Sequence, residues 1–519
     1  MLWRTPGAKS ASSPPTPGHL VFTQTGLLGL LHLGFAKPSR YNHQNQFKGG
    51  WCMPSGITIV GLGPGVPGLL TVEAQQVLDT AHEVFLRTRR HPTVAALPAA
   101  AAIHSFDHVY EQADSFDDVY VEIASKLVEL AARNEGVVYA VPGHPLVGEV
   151  SVQHILVLAE KAGLPVRIVE GLSFVGPVCS LLKLDPLEGL QVADAMSLAQ
   201  RHYPEWNPDL PLLVGQLYSR SLAADVKLVL MVAYPDDHEV VLVRGAGTKS
   251  PWWRRMPLYE LDRRDELDHL TTLLVPPLSE AGSVAAFQEL VARLRAPGGC
   301  PWDREQTHVS LRPSLLEETY EVLQALDERD MCSLQEELGD LLLQILLHLQ
   351  IAIELGEFRM ADVVAQVMAK LKHRHPHVFG EVHVADSDQV LTNWERIKSA
   401  EKGHELNGGA FSGVPKSLPA LARAQALLRR SARLGCAQPD VAAVWSAADR
   451  YLSELRKARD QEACQAATGE LLFCVAELAQ GHGTDAEGAL REVVARFART
   501  AEESLRNGAL RRGSAPPIH

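Results

Sequence analysis

Residues 315–350 read LLEETYEVLQALDERDMCSLQEELGDLLLQILLHLQ, and their apolar side chains recur at the three- and four-residue spacing of helices. Carboxylates interrupt this apolar pattern at Glu318, Glu321, Glu337 and Asp340. Because residues three or four apart share a helix face, each of two consecutive helices carries one acidic pair on a face that we expect to be buried. The pattern therefore predicts four carboxylates close together in a helical domain.

A divalent metal ion explains this group of acids best. Clustered carboxylates repel one another and lose hydration when buried, so they persist only when they are protonated or paired with cations. Ligation by oxygen alone suits Mg²⁺, with Mn²⁺ as the alternative, and no competing set of Cys and His ligands indicates zinc. A single acidic pair usually lies on a solvated helix face, which is the other interpretation. Two pairs on consecutive apolar faces favour the metal site.

The run that follows, LLLQILLHLQIAI (341–353), is apolar on all sides of the helix. Such a helix must be buried on most sides, and the run is too short to span a bilayer. One helical hairpin cannot cover it. We therefore expect a bundle that is completed by other helices or by a second subunit, and a homodimer through the helical domain.

Three further motifs accompany the acids: GGCPWDREQTH (298–308), KLKHRHPHVFG (370–380) and NWERIKSAEK (393–402). Together with E-x-x-E and E-x-x-D, they resemble the MazG family over about residues 285–405. The resemblance implies an all-α enzyme that hydrolyses a nucleoside triphosphate to the monophosphate and pyrophosphate. It also implies that Glu318, Glu321, Glu337 and Asp340 are the magnesium ligands. Glu317 and Glu336, which adjoin these ligands, are candidates for orienting the attacking water.

Basic and aromatic residues of the later motifs are candidates for substrate binding. Lys370 and Arg374, four residues apart, present one cationic helix face for phosphate, and Lys398 supplies another. Trp394, one turn before Lys398, is expected against the base or ribose. The alternative for the basic residues is an ordinary charged helix surface. Trp302, in contrast, is expected in the core.

The region before these helices alternates β-like and helical segments, which predicts an α/β domain. Helices are predicted at 71–81 and 150–163. Strands are predicted at 57–63, 136–145, 165–171, 211–218, 227–235 and 239–245. The first strand enters the glycine turn GLGPGVPG (61–68), which is neither a dinucleotide fingerprint nor a P-loop.

That glycine turn, together with VPGHPLVGE (141–149), EGLSFVGP (170–177) and LVLMVAYPDD (228–237), resembles the tetrapyrrole methylase superfamily over about residues 57–275. The resemblance implies a two-lobed α/β domain that binds S-adenosylmethionine between its lobes. The second loop commonly reads G-D-P in that superfamily, whereas this chain has a histidine in place of the aspartate. The residues that correspond to the two cofactor loops are Gly61, Gly63, Pro64 and Gly65 in the first, and Pro142, Gly143, His144 and Pro145 in the second.

A weak internal repeat follows the first helical region, since EELGDLLLQILLHL (336–349) is echoed by AATGELLFCVAELA (466–479). This alignment puts Tyr451, Glu454, Ala467 and Glu470 at the four acid positions, so two carboxylates are missing. We expect this second repeat to be structural. The predicted organisation is a leader (1–52), a methylase-like domain (53–277), a MazG-like domain (283–403), a linker (404–417), a degenerate repeat (418–505) and a tail (506–519).

Composition narrows the location and the partners. The net charge of −13 argues against general nucleic-acid binding. Seven scattered cysteines without a C-x-x-C pair indicate a reducing cytoplasm rather than a disulfide framework. The segment TGLLGLLHLGFA (25–36) has the character of a signal-peptide core. No small-residue cleavage site follows it, so we interpret residues 1–52 as a leader that is disordered or results from a mis-assigned start. We expect the folded protein to begin near Met53 and to have no membrane association.

The whole chain from about residue 53 resembles bacterial bifunctional proteins in which a methylase-like domain precedes a MazG-like domain. The main hypothesis is a Mg²⁺-dependent nucleoside triphosphate pyrophosphohydrolase that carries an S-adenosylmethionine-binding domain. One alternative is a sensor of nucleotide or S-adenosylmethionine with little turnover. Another is a methyltransferase whose helical half is accessory.

Overall fold

The computed structural model describes residues 56–112, 116–133, 135–402, 411, 413–437 and 440–506. The predicted leader, residues 404–410 and 412 of the predicted linker, and residues 507–519 of the predicted tail lie outside this range. These described residues divide into two compact units, one within 56–206 and 210–276, and one within 207–209 and 277–506. The first unit is α/β and the second is helical, which confirms the predicted multidomain fold class.

The first sheet of the α/β unit is parallel and has the strand order β3-β2-β4-β1-β5. Its central strand β1 is buried along its whole length, and each fully buried isoleucine there contributes about 2 kcal/mol of hydrophobic stabilisation. The strands are β1 Ile57–Gly61, β2 Glu83–Leu86, β3 Ala102–Ser105, β4 Val137–Val141 and β5 Val166–Val169.

Helices connect these parallel strands, as crossover geometry requires. Thr71 caps the first helix by accepting a hydrogen bond from the backbone N–H of Ala74, and Gly163 ends the fourth in the left-handed conformation. Two short 3-10 helices, at Pro67–Leu69 and Pro92–Ala96, follow the ends of β1 and β2. The α-helices are α1 Val72–Thr80, α2 Asp107–Gln112, α3 Phe116–Ala131 and α4 Val150–Ala162.

The second sheet of this unit is mixed and has the order β6-β7-β10-β8-β9. Only β6 and β7 pair in parallel in it. Its strands are β6 Gln191–Asp194, β7 Leu212–Gly215, β8 Glu239–Arg244, β9 Trp252–Pro257 and β10 Thr271–Val275. The helical segments beside it are α5 Val175–Leu182, Pro186–Glu188 (3-10), α6 Ala195–Ala199, α7 Arg220–Leu230 and Leu258–Arg263 (3-10).

One predicted strand of this unit is wrong. Residues 227–235 were expected to be extended, but 227–230 form the last turn of α7, which Ser219 caps through the backbone N–H of Leu222. The buried residues of α7 recur at helical spacing: Leu222, Ala223, Val226, Val229 and Leu230. Within the apolar run KLVLMV, Val229 and Leu230 are buried, whereas Leu228 and Val232 are 63% and 55% exposed. The run is apolar throughout, so its composition alone does not reveal the helical period.

The second unit consists of helices alone within the residues that the structure describes. Val291 and Leu311 join the apolar residues of α11 in its first core, and a smaller core lies in the second repeat. The helices are α8 Val284–Arg295, α9 Pro301–Glu305, α10 Arg312–Glu328, α11 Met331–Leu355, α12 Met360–Arg374, α13 Pro376–Phe379, α14 Ser387–Lys402, α15 Ala420–Arg433, α16 Val441–Lys457, α17 Gln461–Gly481 and α18 Ala486–Arg506.

Helix α11 is long and apolar enough to cross a membrane by length and composition alone, a test that core helices of soluble proteins also pass. In the structure it packs against α8 and α10, and Leu346, Leu347 and Ile351 are buried. Ile345 and Ile353, however, remain 45% and 39% exposed. The helices of one chain therefore cover the predicted apolar run only in part.

Candidate active site

The acidic residues of α10 and α11 meet between the two helices. Glu318, Glu337 and Asp340 each offer a carboxylate oxygen, and these oxygens lie within 4.8 Å of one another. Glu321 forms a hydrogen bond with Glu318 at the edge of this group. Glu318 and Glu337 are half-buried, whereas Glu321 and Asp340 are exposed. The expectation of a fully buried acidic face is therefore wrong within one chain, because one side of the group opens to solvent.

Local signals in the sequence set the geometry of this helix pair. Arg329 ends α10 in the left-handed conformation, and Asp330 begins α11 by accepting hydrogen bonds from the backbone N–H groups of Cys332 and Ser333. Only these two residues separate the helices, which pack closely along their lengths. The tight connection brings the E-x-x-E of one helix beside the E-x-x-D of the next.

The electrostatics of the group favour a bound cation. Partial burial, the hydrogen bond from Glu321 and the charges of the neighbouring acids raise the pKa of Glu318. Partial desolvation and the charges of Glu321, Glu336 and Asp340 also raise the pKa of Glu337. Both shifts show that the ionised carboxylates destabilise one another when no cation is bound. A hard divalent cation would relieve this repulsion, so the donor set fits Mg²⁺ or Mn²⁺.

Three of the candidate substrate-binding residues form one cluster between α12 and α14. The ammonium nitrogen of Lys398 lies 4.3 Å from the ring centroid of Trp394, and the guanidinium carbon of Arg374 lies 5.7 Å from it. Arg374 also donates to the carboxylate of Glu401 at 2.6 Å, which holds the pKa of Glu401 below its ordinary value. Trp394 and Arg374 are therefore already partnered, so a nucleotide that contacts them must exchange with these partners.

The other candidate residues of the helical unit are more exposed. Lys370 lies on the solvent-exposed part of α12, and Glu317 and Glu336 are exposed beside the acidic group. Trp302 was expected in the core, but its side chain is 60% exposed at the start of α9. The core prediction for Trp302 is therefore wrong.

In the α/β unit, the two predicted cofactor loops meet at the carboxyl ends of β1 and β4. The connection after β1 leads to β2 on one side, whereas the connection after β4 leads to β5 on the other. Ligands of open α/β sheets bind at such a switch point. Gly63 and Gly143 bridge the two loops through backbone hydrogen bonds of 2.8 and 3.2 Å.

The glycines of the first loop are needed because the backbone of the same chain approaches them. A Cβ on Gly61 would lie 2.6 Å from the carbonyl oxygen of Gly143 and from the amide nitrogen of Gly171. A Cβ on Gly65 would lie 2.6 Å from the carbonyl oxygen of Gly247. Gly61, Gly63, Pro64 and Gly65 are all buried. This loop is therefore tightly packed against the rest of the domain and leaves no open space at its glycines.

The second loop is the more accessible one. Gly143 has a φ of 65°, and a Cβ built there would meet no atom within 4 Å. Pro142 and His144 are half-exposed, whereas Pro145 is buried. The Nδ1 atom of His144 accepts a hydrogen bond of 3.0 Å from the backbone N–H of Leu146. An aspartate can accept the same kind of bond, so the histidine preserves the turn that G-D-P would form.

Comparison with known proteins identifies both domains. The family model described as the MazG nucleotide pyrophosphohydrolase domain matches residues 306–379, and the model of tetrapyrrole (corrin/porphyrin) methylases matches residues 56–262. The uncharacterized protein YabN of Bacillus subtilis (strain 168) is 43% identical over 385 residues, which cover 72% of this chain and 77% of YabN. The nucleoside triphosphate pyrophosphohydrolase of Escherichia coli (strain K12) is 41% identical over 220 residues, 41% of this chain and 84% of that protein.

The chain belongs to the MazG family and carries a tetrapyrrole methylase domain. The nucleoside triphosphate pyrophosphohydrolase/pyrophosphatase MazG of Thermotoga maritima is likewise similar, at 39% identity over 223 residues that cover 42% of this chain and 85% of that protein. Both resemblances drawn from the sequence motifs are thereby confirmed.

The segment predicted as a second repeat is also helical, but its side chains differ from those of the first. Ala467 is buried where the first repeat has Glu337, and the guanidinium carbon of Arg450 lies 4.6 Å from the ring centroid of Tyr451. Arg450 also lies 3.8 Å from the carboxylate of Glu454. A basic side chain thus accompanies Glu454, one of the two acids that remain.

Sequence reasoning missed the residues that support the methylase loops. Thr93 donates from its hydroxyl to the carbonyl oxygens of Leu62 and Gly65, and His91 forms a hydrogen bond with the backbone of Gly63. Burial lowers the pKa of His91 to about 4. Both residues follow β2, and only the three-dimensional structure brings them beneath the first loop. The sequence offers no local signal for this contact.

Proposed function

We propose that the MazG domain hydrolyses nucleoside triphosphates to nucleoside monophosphates and pyrophosphate with Mg²⁺, or Mn²⁺, held by Glu318, Glu321, Glu337 and Asp340. The observation that carries the proposal is the convergence of three of these carboxylates within 4.8 Å across two helices. The names of the E. coli and T. maritima relatives, both nucleoside triphosphate pyrophosphohydrolases, support the same reaction class.

Each group of residues has a distinct role in the proposed reaction. When bound, the divalent cation neutralises phosphate oxygens and lowers the pKa of a coordinated water. Glu317 and Glu336 lie beside the ligands and are the proposed residues that orient the attacking water. Lys370, Arg374 and Lys398 would stabilise negative charge on the phosphates, and the ring of Trp394 would contact the base or ribose.

A second copy of the chain is the proposed cover for the open side of α11. Leu338, Ile345 and Ile353 are spaced seven and eight residues apart, so they share one helix face, and they are 50%, 45% and 39% exposed. Apolar stripes of this kind mark helix–helix interfaces. Light scattering of purified protein should give the mass of a dimer, and Ile345→Arg should shift it toward the monomer.

For the methylase domain, we propose binding of S-adenosylmethionine at the switch point between β1 and β4. The open side of Gly143 and the half-exposed Pro142 and His144 fit a ligand there, above the tightly packed loop formed by Gly61, Gly63, Pro64 and Gly65. When bound, the cofactor supplies an electrophilic methyl group. Calorimetry with S-adenosylmethionine tests this binding directly, and transfer of labelled methyl to a cell-extract component tests turnover.

Product identification tests the proposed hydrolysis. Purified protein is incubated with each NTP and dNTP and Mg²⁺, and the products are separated. We expect nucleoside monophosphate and pyrophosphate in equal amounts. We also propose that the reaction takes place in the cytoplasm. Release of orthophosphate with a nucleoside diphosphate would contradict it.

A further inference from the structure

Gln216, which follows β7, has an unusual backbone conformation. Its φ is 62°, in the left-handed region that residues other than glycine rarely adopt. Such strain persists only where surrounding contacts compensate for it, and it concentrates at functional sites. The backbone N–H groups of Leu217 and Tyr218 donate to the carbonyl oxygens of Thr271 and Gln216, which fixes the turn locally.

The amide of Gln216 reaches the second cofactor loop of the first sheet. Its Nε2 atom donates to the carbonyl oxygen of Gly148 at 2.7 Å. Gly148 itself has a φ of 70°, and a Cβ built on it would lie 2.6 Å from that Nε2 atom. The contact therefore needs a glycine at 148 and a donor of this length at 216.

A neighbouring contact joins β7 to another loop. A Cβ on Gly215 would lie 2.8 Å from the ring of Phe174 in the segment after β5. The next residue after Gly148, Glu149, is buried and pairs with Arg87. The loop 142–149 is thus held at one end by Gly63 of the first sheet and at the other by Arg87 and Gln216, with Gln216 reaching it from the second sheet.

We propose that Gln216 is a positioning residue that couples the second sheet to loop 142–149 and holds this loop in the arrangement that binds S-adenosylmethionine. This inference rests on the proposed binding function of the methylase domain. Gln216 acts through the carbonyl group of Gly148 and needs no contact with the cofactor.

The test uses the full-length chain with Gln216→Glu, which keeps the shape of the side chain but removes the donor. Gln76→Glu, on the exposed side of α1, is the charge-matched control. The expected result is about tenfold weaker binding of S-adenosylmethionine by calorimetry in Q216E, with faster hydrogen exchange in residues 144–148. Q76E should behave as the wild type, and NTP hydrolysis should be unchanged in both. Gln216→Asn serves if Q216E fails to fold, because its amide is one methylene too short.

A double-mutant cycle measures the coupling between Gly148 and Gln216 in cofactor binding, which a purely structural role of Gln216 would not produce. Gly148→Ala should weaken cofactor binding less in a Gln216→Ala background than alone, because the clash with Nε2 is gone. Q216E binding within twofold of the wild type, or weaker binding with unchanged exchange in the loop, would overturn the positioning role. Absence of binding by the wild type would overturn the proposed cofactor function and this inference with it, whereas normal wild-type binding with insensitive variants would overturn the inference alone.

Discussion

The carboxylates of Glu318 and Asp340 belong to different helices, α10 and α11, yet they offer ligand oxygens within 4.8 Å of each other. Two residues of connection and one helix cap bring them together. Like charges at this distance destabilise the fold unless a cation binds or a proton is taken up. The arrangement therefore links stability, pH and metal binding in the helical unit.

Replacing Glu337 should stabilise the metal-free protein. The pKa of Glu337 is raised in the folded protein, so its protonated form stabilises the fold below about pH 4.5. This contribution to the free energy of unfolding is lost as pH rises through the shifted pKa. In EDTA, Glu337→Gln should therefore raise the melting temperature of the helical unit by a few degrees at pH 7.5 and give no gain at pH 4. Mg²⁺ should raise the melting temperature of the wild type but not of E337Q.

Glu289→Gln, on the exposed face of α8, is the matched control for this experiment. It should change neither the melting temperature in EDTA nor the rise in melting temperature with Mg²⁺. A full magnesium-dependent shift in E337Q would show that Glu337 is not a ligand.

The ion pair between Arg374 and Glu401 should compete with substrate. Because Arg374 donates to Glu401 at 2.6 Å, a phosphate group must displace this carboxylate. Glu401→Gln should lower KM for the nucleotide about threefold with little change in kcat, and Arg374→Ala should raise KM. Steady-state kinetics with Glu381→Gln as an exposed control measure this. If neither variant changes KM, Arg374 has only a structural role.

The imidazole of His144 should be replaceable by a carboxylate. Its Nδ1 atom accepts the Leu146 N–H at 3.0 Å, a bond that an aspartate can also accept. His144→Asp should keep the affinity for S-adenosylmethionine within about twofold, whereas His144→Ala should weaken it about fivefold. Calorimetry decides this, with the exposed His202→Ala as control. Equal affinities of the Asp and Ala variants would contradict the role of the turn.

Burial of His91 should make the methylase domain sensitive to mild acid. The pKa of His91 is lowered to about 4, so the unfolded chain takes up a proton between pH 6.5 and pH 4 and the folded chain does not. The free energy of unfolding should thus have its full value above pH 6.5 and decrease by about 3 kcal/mol as the pH falls to 4. Hydrogen exchange of β1 and β4 amides should record this loss in the wild type and in the exposed control His82→Gln. His91→Gln should show a shallower pH dependence, and an unchanged slope would contradict the account.

Local sequence patterns predict a structural feature correctly where that feature depends on residues within one short segment. The strand β1, the capped helix α1 and the acidic helix pair all follow from periodicity and capping residues within short segments. Residues 227–230 are predicted as part of a strand but are helical, because a short apolar run does not reveal its period.

Contacts between distant segments could not be predicted from the sequence. The packing of Gly65 against Gly247 and the bond from Gln216 to Gly148 each join residues far apart in the chain. The exposure of Trp302 and the open side of the acidic group likewise depend on which helices pack there. Spacing along one helix identifies a face, but it does not say what covers that face.

The central claim is tested most directly by pyrophosphate release from nucleoside triphosphate and Mg²⁺ by Asp340→Asn, compared with Glu470→Gln at the corresponding position of the second repeat. We predict that the wild type and E470Q release pyrophosphate at similar rates. D340N should release it at least about a hundredfold more slowly while keeping its fold by circular dichroism. Full activity in D340N, or equal losses in both variants, would contradict the assignment of the active site to α10 and α11.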